Sequence, residues 1–196
     1  MSITYPIKDC TALVEFKKYY LCRKSNYRNY ALIVMGLNTA LRISDILRLQ
    51  WGDIFDLPKQ DISTHLEIIE HKTGKITLIA LNASIRQTFS AYYDFVFAQQ
   101  PYQPDLYLFP SNKGKNQPLH RSQAFRIIKE AANASNLSSH ISCHSLRKTF
   151  GYHAWRQGTP PALLMAIYNH SSYHITKRYL CIEQDERDEV FLKVTL

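Results

Sequence analysis

The sequence predicts a mainly α-helical protein with a small antiparallel β-sheet. Apolar residues recur at helical spacing through most of the 196 residues, which is the first observation behind this fold class. The second is one pair of β-branched segments, HLEIIE and KITLIA, on either side of the turn sequence HKTG, a pattern typical of a β-hairpin. The third is that no repeat, low-complexity stretch or linker divides the chain, so residues 1–196 are expected to form a single domain.

The predicted elements follow one another in a simple order. Helices are predicted for residues 9–22, 26–38, SDILRLQW, 83–98, 121–134, LRKTFGYHAWRQG, PPALLMAIY and HITKRYLCI, with the hairpin at 64–81. Ser25 and Ser44 are the expected N-caps of the second and third helices, because a serine hydroxyl accepts hydrogen bonds from the first helical turn. Gly52 and Gly158 are the expected ends of the third helix and of LRKTFGYHAWRQG.

The charge balance restricts the class of partner. Lysine and arginine total 24 against 16 acidic residues, a net charge of +8, and residues 1–182 hold 22 basic and 11 acidic residues. This excess suggests a polyanion, most simply nucleic acid. No apolar run approaches the roughly 18 residues that a membrane span needs, so no membrane partner is expected.

The cysteines and histidines indicate reduced thiols and no metal. The four cysteines form no C-x-x-C pair, and the N-terminus MSITYPIKDC lacks a secretory pattern, so a cytoplasmic protein is expected. Two pairs, His140/His144 and His170/His174, have the i, i+4 spacing of a metal-binding helix face. The first pair lies in a segment predicted as loop and no acidic third ligand lies nearby, so no metal site is expected.

Four short blocks carry a resemblance to a known family. TALRISDILRLQWGDI, HKTGK, HSLRKTF and NHSSYHITKRYL follow one another between residues 39 and 179. In this order they are similar to the first arginine block, the hairpin lysine, the His-x-x-Arg block and the final His-to-Tyr block of the tyrosine recombinases, the phage integrase family. The resemblance implies the catalytic-domain fold of that family and cleavage of DNA through a 3′-phosphotyrosine intermediate. A site-specific DNA recombinase, bacterial or phage-encoded, is therefore expected.

The resemblance also implies a role for each matching residue. The expected catalytic residues are Arg42, Lys72, His144, Arg147, His170 and Tyr179. Asp45 is expected to orient the active-site side chains without contacting the DNA itself. The arginines suit the non-bridging phosphate oxygens, because a guanidinium stays protonated and donates two hydrogen bonds at once. Tyr179 is the expected nucleophile, His144 its general base, His170 a hydrogen-bond donor to the phosphate and Lys72 the general acid for the 5′ oxygen. Bond energy is conserved in this chemistry, so no cofactor is expected.

Some assignments have alternatives. Lys75 competes with Lys72, which is preferred because it directly precedes Thr-Gly. Tyr179 shares helical spacing with Ile175 and Ile182 and is alternatively a core tyrosine, whereas Asp45 also suits ordinary capping of its helix.

Three positions depart from the family pattern. Ala40 and Asn169 stand where the family often has glycine, and Lys148 where it often has histidine or arginine. Asparagine tolerates a left-handed backbone better than most residues, so the turn at Asn169 is expected to survive.

The resemblance extends to partners and architecture. Double-stranded DNA is the expected substrate, bound by four protomers that exchange strands between two duplexes, with an accessory DNA-bending protein as a possible further partner. The segment after Tyr179 is expected either to dock on a neighbouring protomer or to form a closing helix and strand. Contact with the DNA backbone is predicted for a basic cluster, with a solvated helix face as the alternative: Lys113, Lys115, Arg121, Arg126 and Lys129. Residues 1–196 are expected to lack the family's N-terminal core-binding domain.

Two rival functions fit the same residues. A type IB topoisomerase-like enzyme relaxes DNA with a similar constellation but exchanges no partners. A non-catalytic protein with this fold binds a DNA site without forming a covalent adduct. Supercoil relaxation without recombinant products favours the first rival, and binding without an adduct favours the second.

Overall fold

The fold was analysed in a computed structural model that describes residues 4–72 and 74–195. Within these residues the helices are α1 (Cys10–Cys22), α2 (Tyr27–Asn38), α3 (Ile43–Ile46), α4 (Trp51–Ile54), α5 (Ala83–Phe97), α6 (Arg121–Ala134), α7 (Cys143–Arg156), α8 (Pro161–Tyr168), α9 (Tyr173–Leu180) and α10 (Glu183–Lys193). The strands are β1 (Phe55–Asp56), β2 (Asp61–Ile62), β3 (His65–Ile69) and β4 (Ile76–Ala80). The mainly helical fold predicted from sequence is confirmed. No helix in the described ranges is both long and apolar enough to span a membrane.

The main core forms where α2 packs against α1, α5 and α7. Residues 31–36 of α2 are all apolar, and this run is buried on every face of the helix. Trp51 fills the centre of an aromatic cluster with Phe89 and Tyr92 and is fully buried. This core fixes α7, which in turn carries part of the predicted site.

A second, smaller apolar cluster lies beneath the C-terminal helices. It is formed by Ala40, Tyr152, Leu164, Tyr168, Leu180 and Ile182. These side chains join α7, α8 and α9 to the segment that precedes α3. The cluster therefore holds the first-arginine segment and the helix of Tyr179 against the same support.

Both serine N-caps predicted from sequence are wrong. Helix α2 is capped by Asn26, whose side chain accepts from the backbone N–H of Asn29, while Ser25 adopts a left-handed backbone one residue earlier. Ser44 lies exposed inside α3, where Arg42 occupies the N-cap position without a side-chain cap. A polar side chain caps a helix only where the chain turns into the first turn, and that turn falls elsewhere in both cases.

The single helix predicted to run from Arg42 to near Gly52 is in fact two short helices. Helix α3 ends after one turn, and Gln50 pairs with Tyr107 of a distant loop before α4 begins. Asp53 accepts a hydrogen bond from the Gln50 backbone N–H, closing a capping box that restarts the helix. A long-range contact therefore overrides the local helical pattern, and Gly52 lies inside α4 instead of ending α3.

The predicted hairpin is present, with β3 and β4 antiparallel and Ile69 opposite Ile76. A second antiparallel pair, β1 with β2, was not predicted, because two-residue strands leave no readable alternation in the sequence. Helix α7 begins at Cys143 and therefore includes His144, which the histidine-pair argument had placed in a loop. The end of the described chain is the helix α10 without the closing strand offered as an alternative.

Candidate active site

The two predicted arginines approach the site from different elements. Arg42 precedes α3 and keeps 21% of its side chain exposed, whereas Arg147 lies on the inner face of α7 and is almost fully buried. The Arg147 guanidinium donates from Nη1 to the backbone carbonyl of Ala40, two residues before Arg42. This hydrogen bond ties the two arginine segments together across 107 residues of sequence.

Ala40 takes up the backbone conformation that usually favours glycine. Its φ is 55°, in the left-handed region, and its side chain is buried in the smaller apolar cluster. An alanine pays roughly 1 kcal/mol there relative to glycine. Although alanine replaces the glycine common in the family, the left-handed turn is kept, and the Ala40 carbonyl accepts the hydrogen bond from Arg147.

Tyr179 and His170 meet at the edge of α9. Their rings are edge-to-face, with centroids 5.3 Å apart. Asn169 has φ 54° and ends α8 in a left-handed turn, as predicted, which delivers His170 to the start of the next segment. The Nδ1 atom of His170 lies 3.0 Å from Thr176 Oγ1, a fully buried hydroxyl one helical turn before Tyr179.

Tyr168 supports three of the predicted residues at once. Its ring lies 4.7 Å beneath the Arg147 guanidinium, 5.6 Å from the His170 ring and 5.3 Å from the Tyr179 ring. Its hydroxyl donates to the Arg147 carbonyl at 2.7 Å. Burial raises the pKa of Tyr168 well above its usual value, so the phenol stays neutral. The ring of Tyr168 is thus a neutral aromatic support beneath Arg147, His170 and Tyr179.

The two histidines are held in their neutral form. Burial lowers the pKa of His170, and the charges of Arg147 and Arg42 lower it further. Partial burial is also the main cause that lowers the pKa of His144, and four positive charges add to it: Arg121, Lys148, Arg147 and Arg42. A neutral imidazole can accept a proton, so the surroundings of His144 suit a general base.

Burial and neighbouring positive charges shift the pKa of Tyr179 in opposite directions. Burial raises the pKa of its phenol, whereas the charge of Arg147, a hydrogen bond from the same guanidinium and the charge of Arg42 lower it. The ammonium of Lys148 lies 5.1 Å from the centroid of the Tyr179 ring. Burial dominates, so the free protein keeps Tyr179 protonated, and its activation requires a base.

A cleft of about 960 Å³ opens beside Tyr179 and His144. Basic side chains line it as well, namely Arg121, Lys148 and Arg178. The backbone carbonyl of Thr4 accepts a hydrogen bond from Lys148 Nζ at 2.6 Å, which holds this ammonium at the rim. A positively charged cleft at the phenol and the neutral imidazole is suited to a phosphodiester backbone.

The hairpin lysines occupy different places. Lys72 is exposed in the turn, whereas Lys75 Nζ donates to Asn169 Oδ1 at 2.6 Å, next to His170. Asp45 is buried, and its Oδ1 accepts from the backbone N–H of His71 at 3.1 Å, directly before Lys72. The structure thus brings Arg42, His144, Arg147, His170 and Tyr179 together. The place of Lys72 in the site stays a prediction.

The predicted basic cluster divides in two. Lys113 and Lys115 are exposed in the turn before α6, and Arg126 is exposed on α6 itself. Arg121 faces the cleft near His144, so it belongs to the surroundings of the site as much as to that surface. Lys129 donates to the Ser139 carbonyl, which ties its ammonium to the loop after α6.

Sequence reasoning missed three residues of the site: Glu70, Tyr168 and Thr176. Glu70 contacts Arg42, Tyr168 supports the rings, and Thr176 holds His170. Tyr168 and Thr176 sit in helical segments whose pattern explains them as core residues. Only Glu70 could have been found from the sequence. It falls on the inward side of the alternating pattern HLEIIE, and a buried carboxylate needs a positively charged or hydrogen-bonding partner.

Comparisons with known proteins agree with this geometry. A model of the Phage integrase family matches residues 7–186. The "Probable integrase/recombinase YoeC" of Bacillus subtilis (strain 168) is 40% identical over 185 residues, which cover 94% of this chain and 93% of that protein. Two further curated proteins, each a "Tyrosine recombinase", are matched over only 61% and 56% of their length.

Solved structures share the fold at lower identity. The XerA recombinase superposes with a TM-score of 0.75 at 18% identity, covering 100% of this chain and 68% of that one. The Tn1549 transposon integrase, in complex with a circular intermediate DNA, superposes with a TM-score of 0.67 at 22% identity, covering 91% of this chain and 62% of that one.

Fold and site together define a protein of the class that breaks and rejoins DNA with a tyrosine. The chain belongs to the phage integrase family, the tyrosine recombinases, and has its catalytic-domain fold. Members of this family are site-specific DNA recombinases.

Proposed function

We propose that this chain cleaves and rejoins DNA with Tyr179 as the nucleophile. The observation that carries the proposal is the cluster of Tyr179, His170 and Arg147 around the ring of Tyr168. A phenol, a neutral imidazole and a fixed guanidinium are the groups that a phosphodiester exchange needs. Two family blocks, HSLRKTF and NHSSYHITKRYL, contribute these groups.

In the proposed cleavage step, Tyr179 Oη attacks the scissile phosphorus while His144 accepts the phenolic proton. The bond from phosphorus to the 5′ oxygen breaks, and Lys72 donates a proton to that oxygen. Arg42 and Arg147 stabilise the charge on the non-bridging oxygens, and His170 donates a hydrogen bond to one of them. The products are a 3′-phosphotyrosine bond and a free 5′ hydroxyl.

Strand exchange reverses the same step. The 5′ hydroxyl of a partner strand attacks the phosphorus of the phosphotyrosine and gives its proton to Lys72. The bond from phosphorus to Tyr179 breaks, and His144 returns the phenolic proton as Tyr179 leaves. One phosphodiester replaces another, so the free energy of the bond is retained throughout. The arginines supply the positive charge, so the proposed reaction consumes no cofactor.

We propose a tetramer on two duplexes as the working assembly, in the cytoplasm, with an accessory DNA-bending protein as a further partner. DNA as the partner is supported by the Tn1549 transposon integrase, whose structure was solved in complex with DNA. Support for a protomer contact comes from α10, whose apolar residues Phe191 and Leu192 are more than 80% exposed. That residues 1–196 act as one catalytic domain stays a prediction.

The test is a search for a covalent adduct. The protein is incubated in EDTA with supercoiled DNA that carries its native flanking sequence, denatured, and resolved beside Tyr179→Phe. The proposal predicts a protein–DNA adduct with the native chain and none with the variant. Binding without an adduct favours the non-catalytic rival, and relaxed DNA without recombinant products favours the topoisomerase-like one.

A further inference from the structure

Glu70 is a buried acid in direct contact with the first predicted arginine. It ends the alternating pattern of β3, and the residue is only 7% exposed. Its Oε2 lies 2.5 Å from Arg42 Nη1, and the Arg42 side chain is 21% exposed. A carboxylate placed within a site built to bind phosphate lowers the local positive charge, so its presence calls for a compensating role.

The hairpin fixes this carboxylate in place. Oε1 of Glu70 accepts a hydrogen bond from Thr77 Oγ1, 3.3 Å away on β4. The Glu70 backbone N–H donates to the Lys75 carbonyl at 2.9 Å, and its own carbonyl accepts from the Gly74 N–H at 2.8 Å. Backbone and side chain are therefore both anchored at the base of the hairpin turn.

The contact with Arg42 engages one nitrogen of the guanidinium. A guanidinium has five N–H donors, and in the described part of the chain the Arg42 side chain makes no hydrogen bond besides the one from Nη1 to Glu70. The charge of Arg42 still acts on His144, His170 and Tyr179. Arg42 thus lies among the catalytic groups while Glu70 holds it, with donors left for a phosphate.

A second contact joins the same two elements. Asp45, three residues after Arg42, accepts from the backbone N–H of His71, one residue after Glu70. The start of α3 and the end of β3 are therefore linked by two neighbouring contacts, Arg42 with Glu70 and Asp45 with His71. Lys72 follows directly, so the position of Arg42 is coupled to the position of the hairpin turn.

We propose that Glu70 is a positioning residue for Arg42, holding the guanidinium by one nitrogen so that its other donors face the scissile phosphate. This inference rests on the proposed function. Under this proposal Glu70 remains paired with Arg42 when DNA binds, since Arg42 contacts one carboxylate oxygen and Thr77 donates to the other. The alternative is that Glu70 blocks Arg42 until a phosphate displaces it. That alternative predicts that removal of the Glu70 carboxylate speeds adduct formation.

The test compares Glu70→Ala and Glu70→Gln with Glu67→Ala. Glu67 is an exposed acid within β3, three residues before Glu70, so its substitution removes the same charge without touching Arg42. Single-turnover adduct formation is measured on a nicked duplex of the native flanking sequence at saturating protein. Affinity for the same duplex is measured separately with the Tyr179→Phe background, and thermal melting reports folding.

The proposal predicts opposite changes in the two readouts. Glu70→Ala slows adduct formation by roughly 10- to 100-fold at saturation, because a misplaced guanidinium no longer fits the phosphate. Its DNA affinity stays equal or rises, because a negative charge has gone. Glu70→Gln keeps an oxygen acceptor for Nη1 and recovers most of the rate, and Glu67→Ala cleaves like the native chain. General unfolding lowers both readouts and cannot produce this split.

Two results overturn the inference. One is an alanine variant that melts normally and forms adduct as fast as the native chain or faster, which shows that Glu70 does not position Arg42 for cleavage. The other is a glutamine variant that melts normally and yet cleaves as slowly as the alanine variant. If Glu70→Ala does not fold, Glu70→Gln and Glu70→Asp replace it, and the shorter aspartate is expected to be slow. Failure of the proposed function is distinct, because the native chain then forms no adduct either.

Discussion

The ring of Tyr179 stands edge-on to the ring of His170, with centroids 5.3 Å apart and planes inclined by 73°. Nine residues separate them, and two local features bring them together. The left-handed turn at Asn169 ends α8, and the Ser172 side chain caps α9 by accepting from the Ile175 backbone N–H. The proposed nucleophile and the proposed phosphate ligand are thus placed by α8, α9 and the turn between them. Changes in this segment are expected to slow cleavage more than they weaken DNA binding.

Cleavage is expected to depend on pH through His144. Its pKa lies below the usual 6.5, so the ring is neutral at pH 7 and protonates only as the pH falls through the lowered value. Because the base must be neutral, kcat/KM is expected to be flat above about pH 6.5 and to fall roughly tenfold per pH unit on the acidic side. His170 donates a hydrogen bond in either state and adds no acidic limb of its own.

The control for this profile is His144→Gln. It is expected to lower the plateau by about 100-fold or more and to remove the acidic limb. Single-turnover rates between pH 5 and 8, measured at subsaturating concentrations so that they report kcat/KM, show both effects. An acidic limb that persists unchanged in the variant contradicts the assignment of His144 as base.

Thr176 is expected to set the tautomer of His170. Its hydroxyl has one proton and lies 3.0 Å from His170 Nδ1 and 3.3 Å from the Ser172 carbonyl. When the hydroxyl donates to Nδ1, the neutral ring carries its proton on Nε2, where it can reach a phosphate. Thr176→Val is expected to slow cleavage about tenfold and to cost about 1–2 kcal/mol of unfolding free energy.

Thr176→Ser is the matched variant, since it keeps the hydroxyl and loses only a methyl group. It is expected to cleave within a few-fold of the native rate. Cleavage assays and urea unfolding of both variants provide the comparison. A valine variant that cleaves at the native rate shows that the hydroxyl does not serve His170.

Gly151 leaves room for Tyr168 beneath the site. A Cβ added at Gly151 overlaps Tyr168 Oη and the Leu180 side chain, both buried. Gly151→Ala is therefore expected to destabilise the fold by about 1–2 kcal/mol, although alanine favours a helix by about 1 kcal/mol. Urea unfolding beside Gln157→Ala, an exposed position at the end of α7, measures the difference. A variant as stable as the control indicates that Tyr168 has space to move.

Helix α10 is expected to serve assembly more than stability. In the described chain it buries none of its residues, and its attachments include ion pairs of Asp185 with Lys8 and of Glu189 with Arg156. Such exposed pairs contribute at most about 1 kcal/mol each. Deleting residues 184–196 is expected to change the melting temperature little and to weaken assembly on DNA, as measured by native gel electrophoresis. Unchanged synapsis of the truncated chain contradicts this role.

Much of the fold was predictable because its signals are local. The helices at α1, α5 and α6 and the hairpin follow from apolar periodicity and β-branching. The break between α3 and α4 was not, because it depends on the pairing of Gln50 with Tyr107, which no local pattern encodes. The same limit explains the missed strands β1 and β2.

The site was predictable only where the family blocks name its residues. Arg42, Arg147, His170 and Tyr179 were chosen from those blocks, and the structure places them together. The tyrosine at 168 was missed because its role depends on three-dimensional packing against a guanidinium and two rings. Their catalytic roles stay predictions, as does the preference for Lys72 over Lys75.

The central claim, that Tyr179 becomes covalently joined to DNA, is tested most directly by mapping the adduct. The protein is trapped on nicked duplex, digested with trypsin and nuclease, and the nucleotide-bearing peptide is sequenced by mass spectrometry. The account predicts a single modified residue, Tyr179, joined to a 3′ phosphate, with a free 5′ hydroxyl on the released strand. A modification on any of the other twelve tyrosines, or a linkage to a 5′ phosphate, contradicts it.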